Sequence, residues 1–332
     1  MRVPLFKTVY DAVYYGFAVG KVRVLETRIF GGGTYERLVD APTFAEQKRI
    51  LSDTVYGRYL ENAENADDVE VGLETALDDF YRFLAEANLP EPVVRFFRVR
   101  YDYANLRAVL KARALGAPIE GMIVGLGIVP VTAFEGPVER LPEYLAQVAA
   151  SLLDEDGRIA EVDAIDAAVE QAAFADLVET ARSSKSRALK DLARLMVDVA
   201  NARAAIRARR KNRPASDLAE GLLKGGTLRI REVEKIYTLP FAEFVDALAA
   251  MPTLRGVDAD ALADPSALDV VLDNMISHFL RQARAVQFGP EPVIAYVMAR
   301  EAEVTAVRTL LIGRLAGLDR DALRSRLREL YV

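Results

Sequence analysis

The sequence predicts an all-α protein: three similar helical-bundle domains produced by an internal repeat of about 100 residues. Three observations predict it. A charged helix signature occurs three times along the chain. Ala, Leu, Arg, Glu and Val dominate most segments, with apolar residues recurring at three- and four-residue steps. Helix-stopping residues fall at matching places after each copy of the signature.

The signature reads Asp102-x-x-Asn105-x-Arg107 with Arg113 further on, then Asp198-x-x-Asn201-x-Arg203 with Arg209. An eroded third copy reads Glu303-x-x-Ala306-x-Arg308 with Arg314. On a helix the acid and the second Arg lie only about 20° apart, three turns along one face, while the first Arg points about 140° away. Such groups cannot converge on one small catalytic cluster. They suit ties between helices, the acid accepting from a neighbouring backbone or Arg and the Arg reaching across bidentately. A partner-facing role for the Arg side is the competing reading.

The helix from Pro92 through Arg113 is apolar around much of its circumference, with Val94, Phe97 and Tyr101 on one face and Phe96, Val99 and Leu106 on another. That marks a helix buried between neighbours. The stops are Gly116 and Pro118, then Pro214, then Gly317. They place boundaries near 116 and 214 and predict repeats over 1–115, 116–213 and 214–332. Gly20 to Ile29 is the best candidate for a strand, and Gly31-Gly32-Gly33 for a turn or hinge.

Composition narrows the function. At 332 residues, 52% hydrophobic and 28% charged, the chain can bury more than one core and keep a wet surface. Basic side chains number 43 against 49 acidic ones, a net charge of −6, which argues against a dedicated polyanion binder. With no cysteine and His278 as the single histidine, disulfides, thiolate metal sites and multi-histidine metal sites are excluded. His278 lies in a helical segment and reads as a boundary residue. Asp67-Asp68 and Asp78-Asp79 read as surface or helix-start charge.

No motif signals a cofactor. Gly125-x-Gly127, Gly31-Gly32-Gly33 and the Gly221 to Thr227 segment lack the spacing of a dinucleotide fingerprint or a P-loop. The stripe Arg203, Arg207, Arg210 within the run to Arg213 is a candidate partner-binding face. No aromatic platform is interleaved with it, which favours a protein-facing or solvated role over nucleic acid. Met1 to Thr8 lacks the apolar core of a signal peptide, and the uncharged run Gly121 to Phe134 is too short to span a bilayer. A soluble, intracellular protein is expected, meeting a membrane only through another protein.

The helix Arg100-Tyr101-Asp102-Tyr103-Ala104-Asn105-Leu106-Arg107 to Arg113 resembles the hallmark of the C subunit of prokaryotic V-type (A/V-type) rotary ATPases, a family that includes the d subunit of the eukaryotic proton pump. Leu222-Leu223-Lys224-Gly225-Gly226, Thr54-Val55-Tyr56 and the stretch from Pro292 to Arg314 resemble it too, so the similarity covers nearly the whole chain. The resemblance implies three helical domains forming a funnel-like socket on the cytoplasmic face of the membrane rotor ring, receiving the tip of the central shaft. It implies a non-catalytic subunit, coupling ATP hydrolysis or synthesis in the head to ion transport. Ala306, where the pattern has Asn, is the departure in the third copy. An all-helical adaptor of another complex is the alternative.

Overall fold

The computed structural model describes residues 9–87, 89–119, 121–154, 158–159, 161–329 and 331. The leader-peptide expectation for Met1 to Thr8 lies outside them. The first helices are α1 (Val9–Glu26), α2 (Gly32–Asp40), α3 (Phe44–Leu51), α4 (Gly57–Leu60) and α5 (Ala66–Glu86). Next come α6 (Glu91–Leu115), α7 (Val131–Phe134), α8 (Glu143–Ala150), α9 (Ala164–Ser183), α10 (Arg187–Arg210), α11 (Ala215–Gly221) and α12 (Ile230–Tyr237). The chain closes with α13 (Phe241–Ala249), α14 (Ala259–Ala263), α15 (Leu268–Arg281), α16 (Pro290–Leu315) and α17 (Arg320–Arg324). Among the described residues the protein is all-helical, and the nearest approach to a sheet is one antiparallel bridge, Leu153 with Ile159.

The signatures sit on the three longest helices, α6, α10 and α16. Their starts use different chemistry. Pro92 opens α6, Pro290 and Pro292 open α16, and the Ser186 hydroxyl accepts the Leu189 amide at the head of α10. Their ends are alike. Gly116, Asn212 and Gly317 take left-handed backbones with φ of 63°, 51° and 79°. In each, the next amide bonds back into the last turn: Ala117 to the Ala112 carbonyl, Arg213 to Ala208, and Leu318 to Gly313. The same closure therefore satisfies orphan carbonyls at all three helix ends.

Two expectations about the N-terminal region are corrected. Gly20 to Ile29 is not a strand: its residues through Glu26 belong to α1. The β-branched content suggested extension, but Tyr15, Ala18, Val19 and Val22 are buried at three- and four-residue spacing, and that face decides the helix. Gly32 and Gly33 are the first residues of α2, with Gly31 as its cap, so only Gly31 serves as punctuation.

The chain divides into two compact units, Met1–Leu89 with Lys235–Val332, and Pro90–Glu234. The core of the second unit is Val99, Tyr103, Leu106, Val109 and Leu110 of α6 against Leu145 of α8 and Ile165 and Val169 of α9. In the first unit, α16 is buried along most of its length among α1, α3, α5, α15 and α17. The expected boundaries near 116 and 214 both fall inside Pro90–Glu234, where α6 and α10 are each bonded to the segment that follows them.

Candidate functional site

In the first copy Asp102 is fully buried. Its Oδ1 accepts the amides of Ile128 and Val129, each at 2.9 Å, and its Oδ2 accepts the Tyr144 hydroxyl at 2.9 Å. One turn on, Asn105 behaves as a backbone mimic: its Nδ2 donates to the Val124 carbonyl at 2.9 Å and its Oδ1 accepts the Val124 amide at 3.0 Å. Arg113 donates to the Gly136 carbonyl at 2.6 Å. Arg107, on the other face, meets Asp166 of α9 at 3.4 Å beside Lys111 at 2.8 Å. The loop lies so close that a Cβ on Gly127 would stand 2.1 Å from Asp102 Oδ1.

The second copy repeats this arrangement at the acid and the amide. Asp198 accepts the amides of Thr227 at 2.8 Å and Leu228 at 2.9 Å, and the Thr227 hydroxyl takes the part of Tyr144. Asn201 donates to the Leu223 carbonyl at 2.9 Å and accepts its amide at 2.7 Å. Gly226 is the counterpart of Gly127, its hypothetical Cβ 2.0 Å from Asp198 Oδ1. Arg203 and Arg209 are both engaged in interactions.

The third copy closes on the other end of the chain. Glu303 of α16 accepts the Phe30 amide at 2.6 Å and the Tyr56 hydroxyl at 2.7 Å, and pairs with Arg300 on its own helix. Arg314 donates to the carbonyls of Val39 and Leu318, each at 2.9 Å, and Arg308 pairs with Glu70 of α5 at 2.7 Å. Ala306 has no Asn to offer, and here none is needed. The tied carbonyl and amide lie four residues before the first acid-bound amide: Val124 before Ile128, Leu223 before Thr227. Four before Phe30 is Glu26, the last residue of α1, within the helix's own hydrogen-bond ladder.

Burial holds the Asp102 carboxyl above the usual carboxylate range, against the pull of the Val129 and Ile128 amides, the Tyr144 hydroxyl and Arg95. Burial likewise raises Glu303, against Arg300, the Phe30 amide and Tyr56. The same burial, with Asp102 beside it, raises the Tyr144 hydroxyl. Both oxygens of each of these carboxyls accept from donors fixed in the protein. Among the described residues no group of His, Asp and Glu is arranged to hold a metal ion.

The remaining candidates are dispersed. On α10, Arg203 and Arg210 are half-buried and Arg207 is exposed, and each has an interaction of its own. His278 is exposed on α15, 3.0 Å from Glu329. Asp68 accepts the Glu64 amide at the head of α5, and Asp79 pairs with Arg58 and Arg82. The residues missed from the sequence are Tyr144 and Phe30, both distant in the chain from the acid they serve; Tyr56 and Arg300 lie in stretches that carry the resemblance, but their bonds to Glu303 were not read there. Gly127 and Gly226 were visible as glycines of matching segments, and their partner acids were already marked.

Buried acids spent on backbone amides, and helix ends closed alike in three copies, are the features of a structural scaffold. Comparison with known proteins agrees. The sequence pattern of the ATP synthase (C/AC39) subunit matches residues 18–326. The chain belongs to this family, that of a structural, non-catalytic subunit of the rotary ATPase. It is 28% identical to the C subunit of the V-type ATP synthase of Thermus thermophilus over 328 residues, 92% of this chain and 96% of that one. It is 21% identical to the C subunit of the V-type sodium ATPase of Enterococcus hirae, covering 93% and 97%. With the C subunit of the A-type ATP synthase of Thermococcus onnurineus the identity is 23%, covering 89% and 85%.

Proposed function

We propose that the chain is the central-axis subunit of its rotary ATPase, joining the central shaft of the ATP-driven head to the membrane rotor ring and passing torque between them. The observation that carries this reading is the repeated lock. Each signature helix is fastened by its acid to a segment from outside itself, and the helices of the first two copies also by Asn. A torque-bearing part must resist shear, and buried charge-assisted hydrogen bonds between close-packed elements resist it better than loops do.

In this reading three helical domains, approximating 1–115, 116–213 and 214–332, form a funnel-like socket on the cytoplasmic side. The ring supplies all membrane contact. Among the described residues no helix is long and apolar enough to cross a membrane, in keeping with that division of labour. The Arg203, Arg207, Arg210 stripe faces the shaft at the socket or its rim, because charged contacts form and release against water more readily than large apolar ones.

The test is size-exclusion chromatography of the purified chain with the central-shaft subunits, then with the detergent-solubilised ring. Co-elution in both mixtures at one copy per complex is expected. Separate peaks in both, from demonstrably folded protein, would end this reading. Reversing Arg203, Arg207 and Arg210 to Glu is expected to weaken shaft binding, and unchanged affinity would move the contact elsewhere.

A further inference from the structure

Within the first unit a groove of about 520 Å³ opens beside the third lock, walled by Tyr56, Tyr59, Phe80 and Tyr296. Its charged lining is Arg28, Arg58 and Arg300 against Asp79, with Glu303 beneath. The two acids are already balanced. Glu303 is held by Arg300, Tyr56 and the Phe30 amide, and Asp79 by Arg58, Arg82 and the Tyr59 hydroxyl. Nearby hydroxyls are also occupied, Ser52 and Thr54 donating to the carbonyls of Arg49 and Leu51. Arg28 is different: it is exposed at the mouth, and no hydrogen bond or ion pair from the described residues engages its guanidinium. It lines the groove together with Tyr296, whose hydroxyl is raised by burial with Arg28 among the charges that oppose the rise.

The repeats supply an internal control. Two residues before the first acid-bound amide stand Leu126, Gly225 and Arg28 in the three copies. Three residues before the acid stand Val99, Leu195 and Arg300. The first two copies close their locks without a cation at either position. Arg300 replaces a backbone donor at Glu303, which receives one amide where Asp102 and Asp198 receive two. Arg28 has no such internal duty, yet it lines the same groove.

We propose that this groove receives a carboxylate presented by an acidic segment of another polypeptide. Arg28 offers five N–H donors in a planar fork that matches a carboxylate bidentately. Arg58, stacked 4.5 Å from the Tyr59 ring centroid, is the second cation at the mouth. Aromatic walls with arginine at the rim are the composition that concentrates binding energy at protein interfaces, and they would pack the stem and flanks of an incoming Asp or Glu. The site stands whether or not the chain seats a shaft.

The experiment is isothermal titration calorimetry of the full chain at low salt with a blocked hexaglutamate peptide, and separately with citrate. Peptide binding weakened about tenfold or more by Arg28→Ala, restored in part by Arg28→Lys and untouched by Arg49→Ala is expected. Arg49 is an exposed cation on α3 that pairs with Glu46, so its variant removes the same charge away from the groove. Because Arg28 is exposed, its variants are expected to keep the wild-type thermal midpoint. Absence of peptide binding, equal loss in the Arg49 variant, or no loss in the Arg28 variant would overturn the proposal. Citrate binding as tightly as the peptide would overturn it in favour of a small-anion site.

Discussion

At Asp102 and Asp198 a short carboxylate meets two successive backbone amides, and a glycine must precede those amides for the chain to come close enough. At Glu303 the side chain is one methylene longer, reaches a single amide, and the residue before that amide is Ile29. Acid length and loop residue therefore change together, as the geometry requires: a longer arm lets the backbone stand back far enough to carry a Cβ. Replacing Asp102 by Ala strands two amides and the Tyr144 hydroxyl in a buried site, and is expected to cost about 3 kcal/mol in urea unfolding. Gly127→Ala is expected to cost roughly 2–3 kcal/mol by driving the loop from the carboxylate. A loss under about 1 kcal/mol for either would mean that the loop is held by something else. The pairing of each acid with its glycine was not legible in the sequence, although both members were, because spacing along a chain does not report which backbone a buried oxygen will find.

Among the elements, the signature helices were the most legible part of the molecule. Their signals are local: apolar positions recur within a turn or two, Pro92 opens α6 and Pro292 lies in the first turn of α16, and Gly116 and Gly317 end those two helices, so nearby chemistry decides them. The second stop shows the limit: Pro214 was the visible signal, whereas Asn212 takes the left-handed backbone that ends the helix. Gly116→Ala and Gly317→Ala are each expected to cost about 1 kcal/mol, read from thermal or urea unfolding, because a Cβ is unfavourable at positive φ. Asn212→Gly is expected to be neutral or to stabilise by a few tenths of a kcal/mol. Asn201→Ala should cost at least as much as a cap, since it leaves the Leu223 amide and carbonyl without partners. Ala306→Asn, despite restoring the repeat pattern, should gain nothing, because the segment it would serve is already helical.

For the molecule as a whole, raised carboxyls at Asp102 and Glu303 set a pH dependence. Both are held above their usual values of 3.8 and 4.5 in the native chain. Over the window from those values up to the raised ones, the folded protein binds more protons than the unfolded chain. Their contribution is fully present below the window and falls as pH rises through it. The stability of the wild type minus that of Asp102→Asn, taken from urea curves between about pH 4 and 7, should therefore shrink with rising pH. A difference that grows would show the carboxyl to be held below its usual value. The segment that each signature helix fastens was the least legible feature: Asp102 and Asp198 reach the segment after their own helices, whereas Glu303 and Arg314 of α16 reach the start of the chain.

That last closure sets a timetable for synthesis. Pro90–Glu234 can assemble as soon as it leaves the ribosome, since both of its locks are internal. The Phe30 amide and the Val39 carbonyl have no partner until α16 emerges. At roughly 5–20 residues per second, the N-terminal helices wait for many seconds with the surface that α16 will cover open to water and to other chains. A nascent chain stalled after α15 should be open to protease at α1 to α5 and closed over Pro90–Glu234, and extension through α17 should protect both.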